Sequence, residues 1–230
     1  MSTLQDFSTA LADAVTKAGK NIVRVEARRR LPATGIVWNE ELIVTAHHVV
    51  ERDENIQVGL PDGSVVDAVL VGRDPGTDLA VLRATTGSTG FAPAEETARV
   101  GHLVLAIGRP GKDVQGTVGF IRAIGSSSAK SADSGGRRSR RGSGFSFAFS
   151  EGGSGVMQEG AIQSDVVMYP GFSGGPLVDA WGNLLGLNTS AMASGSSLTV
   201  PLTTLRRVID QLSTHGKVRR GFLGVSLQAM

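Results

Sequence analysis

The stretch Gly171-Phe172-Ser173-Gly174-Gly175-Pro176-Leu177 sets one serine among glycines at the entrance to an apolar run. A serine hydroxyl is a poor nucleophile until a base takes its proton and hydrogen-bond donors stabilise the oxyanion created by its attack. Glycines on either side let the backbone turn sharply enough to bring two N–H groups beside an attacked carbonyl. The string therefore raises acyl transfer as the leading chemistry. The rest of the chain must supply a base, an acid to orient it, and a fold that brings all three together.

The flanking sequence is a succession of short β-branched runs. Before the serine these are Asn21–Glu26, Thr34–Trp38, Leu42–Thr45, Ile56–Leu60, Val65–Val71, Leu79–Arg83, Leu103–Ile107, Gln115–Ile124, Gly144–Phe149 and Ala161–Val167. Leu177–Asp179, Leu184–Thr189 and Leu198–Val200 follow it. Turn signals such as Pro61-Asp62-Gly63 and Asp74-Pro75-Gly76 separate several of them. Many short strands with a turn every ten residues or so predict an all-β chain of barrels or sandwiches, not alternating βαβ units. Two helical patterns bracket the strands. Leu4, Phe7, Leu11, Ala14, Val15 and Ala18 recur at three- and four-residue spacings up to Gly19, and Leu205, Val208, Ile209 and Leu212 do so within Thr203–Leu212. This organisation divides the chain into a helical segment over 1–20, a main domain over 21–215 joined near 84–101, and a short tail over 216–230.

Composition bounds the chemistry further. The chain has 230 residues, 31 of them glycine, with 19% charged and a net charge of +2. That length suffices for a large buried core, and so small a charge does not argue for a nucleic-acid partner. With no cysteine there is no disulfide framework, thiolate metal site or thiol nucleophile. No run is long enough to span a bilayer, and the first thirty residues lack the apolar core of a signal peptide, which at face value reads as a cytoplasmic chain. Ser126–Gly144 is rich in Ser, Gly and Arg, with Arg137, Arg138, Arg140 and Arg141 together. Such a segment buries too little apolar surface to offset its ordering and reads as a mobile loop. Phe145, Phe147 and Phe149 then alternate as in a one-sided strand.

Two further strings complete a nucleophilic set. Thr45-Ala46-His47-His48-Val49-Val50 puts two histidines at the end of an apolar strand, and Gly76-Thr77-Asp78-Leu79-Ala80-Val81-Leu82 puts an acid at the start of another. In a Ser-His-Asp triad the histidine is the general base, the acid holds its tautomer and supports the imidazolium, and the serine attacks. Singly, each residue has an ordinary structural reading, as a strand-end histidine, a turn aspartate or a glycine-flanked serine. The conjunction in the order His…Asp…Ser within an all-β chain is specific.

These strings resemble those of the trypsin-like serine proteases, in particular the HtrA/Deg family. The likeness extends to Gly119-Phe120-Ile121-Arg122-Ala123-Ile124-Gly125, Gln163-Ser164-Asp165, Leu185-Gly186-Leu187-Asn188-Thr189 and Val200-Pro201, and so runs across roughly residues 5–215. It implies two six-stranded antiparallel β-barrels with the active site in the cleft between them. It also implies that His48 is the base and His47 a variable neighbour, with Asp78 and Ser173 completing the triad. The oxyanion hole would be the backbone N–H groups of Gly171 and Ser173. No cofactor or metal is implied.

Departures from the family are informative. Trypsin-type enzymes carry Asp, and HtrA-type enzymes Asn, where this chain has Phe172. A phenylalanine cannot make the ion pair of a cleaved zymogen. The acid that selects basic substrates in trypsin would lie six positions before the nucleophile, where this chain has Val167. An apolar pocket lined by Val167, Met168, Ala191 and Met192 implies cleavage after small or aliphatic residues. The resemblance further implies unfolded or misfolded polypeptide as substrate, a homotrimer built through the N-terminal segment, and a bacterial cell-envelope setting. It offers a sensor or contact loop for Arg137–Arg141, beside the plainer reading of a solvated insertion, and makes Arg220-Gly221-Phe222-Leu223-Gly224-Val225 the entry to a PDZ domain. Two rival readings are a latent or inactive protease-like module that holds unfolded chains as a chaperone, and a polyanion binder using the four arginines.

Overall fold

The computed structural model describes residues 3–29, 31–94, 97–125, 160–190 and 197–218. The strands among them close into two antiparallel barrels. The first consists of β1 (Ile22–Glu26), β2 (Ala33–Val37), β3 (Leu42–Ala46), β4 (Ile56–Gly59), β5 (Val65–Asp74) and β6 (Leu79–Arg83), in the order β1-β2-β3-β6-β5-β4. The second consists of β7 (Leu103–Gly108), β8 (Gln115–Ile124), β9 (Ile162–Ser164), β10 (Pro176–Asp179), β11 (Leu184–Thr189) and β12 (Ser197–Pro201), in the order β10-β11-β12-β9-β8-β7. Closure removes free sheet edges, so a chain of short β-branched segments can satisfy its backbone without exposing a template for aggregation. The all-β expectation and the two-barrel expectation both hold.

Each helix reaches the barrel more distant from it in the sequence, the C-terminal one while also packing on the strands β11 and β12 that precede it. Helix α1 (Thr3–Gly19) precedes the first barrel, yet its Ala14 and Ala18 bury against Leu105, Ile107 and Val178 of the second. Helix α2 (Leu202–His215) follows the second barrel and inserts Leu205, Val208, Ile209 and Leu212 into a core that contains Val44, Leu79 and Leu82 of the first. Each buried aliphatic side chain of this kind contributes about 1.5–3 kcal/mol. The two helices therefore act as crossed straps that oppose separation of the barrels. Glycine at position 72 of β5 admits the approach of α2, since a Cβ there would lie 2.5 Å from the Gly216 carbonyl oxygen.

Of the elements that differ in extent from the sequence pattern, among them β5 running past Val71 to Asp74, two show a clear cause. Helix α2 runs past Leu212 to His215, because Gly216 can take the left-handed conformation (φ 67°) that returns its N–H to the Leu212 carbonyl at 2.8 Å. Strand β9 stops at Ser164 instead of continuing to Val167. There Asp165 turns its carboxylate onto the Phe120 N–H at 2.6 Å, taking the place of a further ladder residue. The expected strand Gly144–Phe149, the basic segment 126–144 and Arg220–Val225 lie outside the described residues.

Candidate active site

Strand register brings His48 and Asp78 together. In the antiparallel pair β3–β6, Ala46 is opposite Leu79. The chain leaves β3 into a 3₁₀ turn at His47–Val49 and enters β6 directly after Asp78, so both side chains arise at one end of one ladder. His48 Nδ1 lies 2.8 Å from Asp78 Oδ2, the His48 N–H donates to Asp78 Oδ1 at 2.9 Å, and the His47 N–H donates to the Asp78 carbonyl at 2.9 Å. Asp78 adopts φ 54°, a left-handed conformation that aspartate tolerates better than most residues. With Nδ1–H directed at the carboxylate, Nε2 of a neutral His48 is the free acceptor. The carboxylate pairs with His48, while His47 Nδ1 is buried without a hydrogen-bond partner among the described residues. Burial and the neighbouring Arg73 charge hold the His47 ring below its ordinary pKa.

Asp78 is almost inaccessible, at 3% exposure. Burial pushes its carboxyl up, but hydrogen bonds from the His48 side chain, Thr189 and the His48 backbone outweigh that effect and leave it below the ordinary carboxylate value. Thr189, at the end of β11 in the second barrel, donates its hydroxyl to Asp78 Oδ2. The acid is thereby held from both barrels.

The half of the site that carries Ser173 is a loop. Gly171 (φ 90°) and Gly174 (φ 87°) occupy conformations that L side chains rarely adopt. At Gly174 a Cβ would also fall 2.1 Å from the Thr34 carbonyl oxygen. Around them the Phe172 N–H donates to Tyr169 O at 3.0 Å, Gly174 N–H to Asn188 O at 2.9 Å and Gly175 N–H to Phe172 O at 2.9 Å. The N–H groups of Gly171 and Ser173 have no acceptor among the described residues. Of the five N–H groups from Gly171 to Gly175, three are thus bonded within the fold and two, at Gly171 and Ser173, are left over. Ser173 is 7% exposed and its Oγ shares a hydrogen bond with Ser190 Oγ at 2.9 Å.

Phe172 turns away from this site. Its ring is fully buried in the second barrel's core with Val104, Ala106, Ile121 and Leu177, and meets Tyr169 edge-on at 5.8 Å. Gly108 makes room for it, since a Cβ there would sit 2.6 Å from Phe172 Cδ1. The aromatic residue that replaces a polar one is an apolar anchor for the loop.

Of the expected pocket residues, Val167 is 54% exposed and its carbonyl accepts from Thr117 Oγ1 at 2.9 Å. Met168 is half-buried against the second barrel's core. Ala191 and Met192 lie outside the described residues. Sequence reading missed Thr189 and Ser190. A buried polar pair, Asn188-Thr189, closing an otherwise apolar strand was the signal that could have drawn attention to Thr189. Among the described residues no group of three or more acidic or histidine side chains could hold a metal ion. No helix there is long and apolar enough to cross a membrane.

The family described as trypsin-like peptidase domain matches residues 33–187. A protein of Chlamydia trachomatis named probable periplasmic serine endoprotease DegP-like is 36% identical over 215 residues, covering 89% of this chain and 38% of that relative. Protease Do-like 1, chloroplastic, of Arabidopsis thaliana is 34% identical over 203 residues, covering 84% of this chain and 42% of the relative. Among solved structures, the serine endoprotease from Yersinia pestis superposes with a TM-score of 0.73 at 28% identity, covering 94% of this chain and 71% of that one. The HtrA-type protease AlgW with tripeptide superposes with a TM-score of 0.72 at 30% identity, covering 95% and 68%. The chain spans about two-fifths of the length of the curated relatives it matches.

Proposed function

The chain belongs to the trypsin-like peptidase family, in its HtrA-type branch, and from that premise we propose that it is a serine endopeptidase with Ser173, His48 and Asp78 as its triad. The observation that carries this reading is the pair of uncommitted N–H groups at Gly171 and Ser173, in a loop whose intervening donor is bonded. Ser173 Oγ turns from Ser190 to His48 Nε2, which takes its proton as the oxygen attacks the substrate carbonyl. The resulting oxyanion accepts hydrogen bonds from Gly171 and Ser173. His48, its charge supported by Asp78, then passes the proton to the leaving amine, and water enters by the same route to release the acyl group.

Substrate is unfolded or misfolded polypeptide, docked as an extended strand whose backbone supplies affinity and whose side chains select. Val167 and Met168, with Ala191 and Met192, form an apolar pocket that favours small or aliphatic residues before the scissile bond. The proposed assembly is a homotrimer through α1, whose Leu4 and Phe7 are 75% and 48% exposed. The proposed setting is the bacterial cell envelope, in keeping with the relatives named periplasmic.

Labelling with a fluorophosphonate probe, together with casein digestion, tests the central claim. Both are expected in the wild type, and Ser173→Ala is expected to abolish labelling and cut turnover by about 10⁶-fold. The bond between Ser173 Oγ and Ser190 Oγ favours one alternative, a latent module that holds unfolded chains without cutting them. Well-folded wild type that neither labels nor digests, yet suppresses aggregation of an unfolded client, would establish that alternative and overturn the endopeptidase reading.

A further inference from the structure

Thr34 lies in β2 of the first barrel, fully buried, and makes four hydrogen bonds. Its N–H donates to the Ser173 carbonyl at 3.3 Å, and its carbonyl accepts from Thr45 Oγ1 at 2.7 Å. Its Oγ1 donates to the Gly171 carbonyl at 2.7 Å and accepts from the Arg109 N–H at 2.8 Å. The residues whose carbonyls Thr34 holds are therefore the two whose N–H groups form the proposed oxyanion hole. We infer that Thr34 is a positioning residue that keeps both donors of the oxyanion loop aimed at the substrate carbonyl, an inference that rests on the endopeptidase reading.

The direction of the hydroxyl bond is set by its surroundings. A threonine hydroxyl has one proton. The Arg109 N–H occupies an acceptor site on Oγ1, so the hydroxyl proton is directed to Gly171 O. The Arg109 backbone is itself tied down. Its guanidinium donates to the Gly19 and Lys112 carbonyls, each at 2.8 Å. Gly171 needs such a restraint, because a glycine at φ 90° has little steric resistance to rotating its peptide planes. Pro110 and Pro32 crowd the Gly171 Cα, with Pro110 Cβ 2.5 Å and Pro32 O 2.9 Å from where a Cβ would be, which limits displacement of the loop. Rotation of the Gly171–Phe172 peptide is resisted at its two ends, by Thr34 on the carbonyl and by the Phe172 N–H bond to Tyr169 O. Thr34 also belongs to the sheet that presents His48, since β2 pairs with β3 through Gly35 and Thr45. It thus sets the position of the oxyanion donors relative to the base. It does not touch the reacting atoms.

Thr34→Val keeps the shape and removes the hydroxyl, leaving Gly171 O without its donor. Thr34→Ser keeps the hydroxyl. With a peptide substrate, Thr34→Val is expected to lower kcat about 10- to 100-fold with KM changed less than about 3-fold, since a misaimed donor acts on the transition state. Thr34→Ser is expected to stay within about 3-fold of wild type. Glycine-selective carbonyl ¹³C labelling gives a readout independent of activity: the Gly171 resonance moves upfield in Thr34→Val and stays in place in Thr34→Ser. If Thr34→Val does not fold, Thr34→Ala replaces it in both measurements. Wild-type kcat in a folded hydroxyl-free variant, equal losses in Val and Ser, a change confined to KM, or an unmoved Gly171 resonance would each overturn the inference. An inactive wild type would overturn the endopeptidase reading, and the Gly171 resonance would still decide whether Thr34 restrains the loop.

Discussion

The two halves of the site are held by different physics. The His48–Asp78 half hangs on the end of a continuous β-ladder, and its members bind each other through charge-assisted hydrogen bonds. The Ser173 half is a glycine-rich loop with positive φ at both Gly171 and Gly174. It is held by an aromatic ring sunk in the second barrel and by a threonine reaching from the first. Register places the base to within a strand spacing whatever the side chains do. The loop has no ladder, so its shape depends on particular contacts. For the proposed triad the difference teaches that damage to the His48–Asp78 half is a loss of chemistry, whereas damage to the Ser173 half is first a loss of structure.

Short of removing the serine itself, the largest expected effect comes from damaging the base half without disturbing the fold. Asp78→Asn keeps the shape of the acid but removes the charge that supports the imidazolium and selects its tautomer. Turnover is expected to fall by about 10⁴-fold, with fluorophosphonate labelling slowed in parallel.

Phe172→Ala addresses the other half. Removing a fully buried ring leaves a cavity beside Gly108, with an expected cost of about 3–5 kcal/mol. Denaturant unfolding should record that loss, whereas Asp78→Asn should not show a cavity-sized change. Equal destabilisation by the two would erase the distinction between the halves.

A pH series sharpens the comparison. The Asp78 carboxyl is held below its ordinary value in the folded state. Its contribution to stability is therefore complete above the unfolded pKa of about 4 and is lost as pH falls through the lower folded value. The stability gap between wild type and Asp78→Asn should narrow only below about pH 4. A gap that stays constant down to pH 2 would contradict this origin. Phe172→Ala carries no such titration, and its deficit should not share this Asp78-linked acid dependence.

The smallest effect is expected from Ser190→Ala. Freeing Ser173 Oγ from one neutral hydrogen bond, worth about 1 kcal/mol, should raise the labelling rate no more than about 5-fold. A fall in that rate would show that Ser190 helps the nucleophile instead of competing for it.

Much of this was legible in the chain. The short β-branched runs and their turns pointed to barrels, and the strings around His48, Asp78 and Ser173 named the residues to look for. Where the reading fell short, the cause was a contact across sequence distance. Phe172 read as a departure beside the nucleophile, and only its packing against Val104 and Ile121 makes it an anchor. Thr34 lies in an apolar strand with no local signal and Thr189 shows only the polar pair Asn188-Thr189, because their partners Gly171 and Asp78 are 137 and 111 residues away. The early end of β9 depends likewise on the Asp165 carboxylate finding the Phe120 N–H.

The heptad at Gly171–Leu177 therefore divides cleanly. By itself the sequence determined that a serine would sit on a tight glycine turn within an all-β chain, because residue conformational preference and hydrophobic period are local properties. Which way Phe172 points, which N–H groups remain unbonded and what restrains the Gly171 carbonyl were decided only by the tertiary structure. Each of those depends on two barrels meeting, and a hydrogen bond or a buried ring exists only when both of its partners are in place.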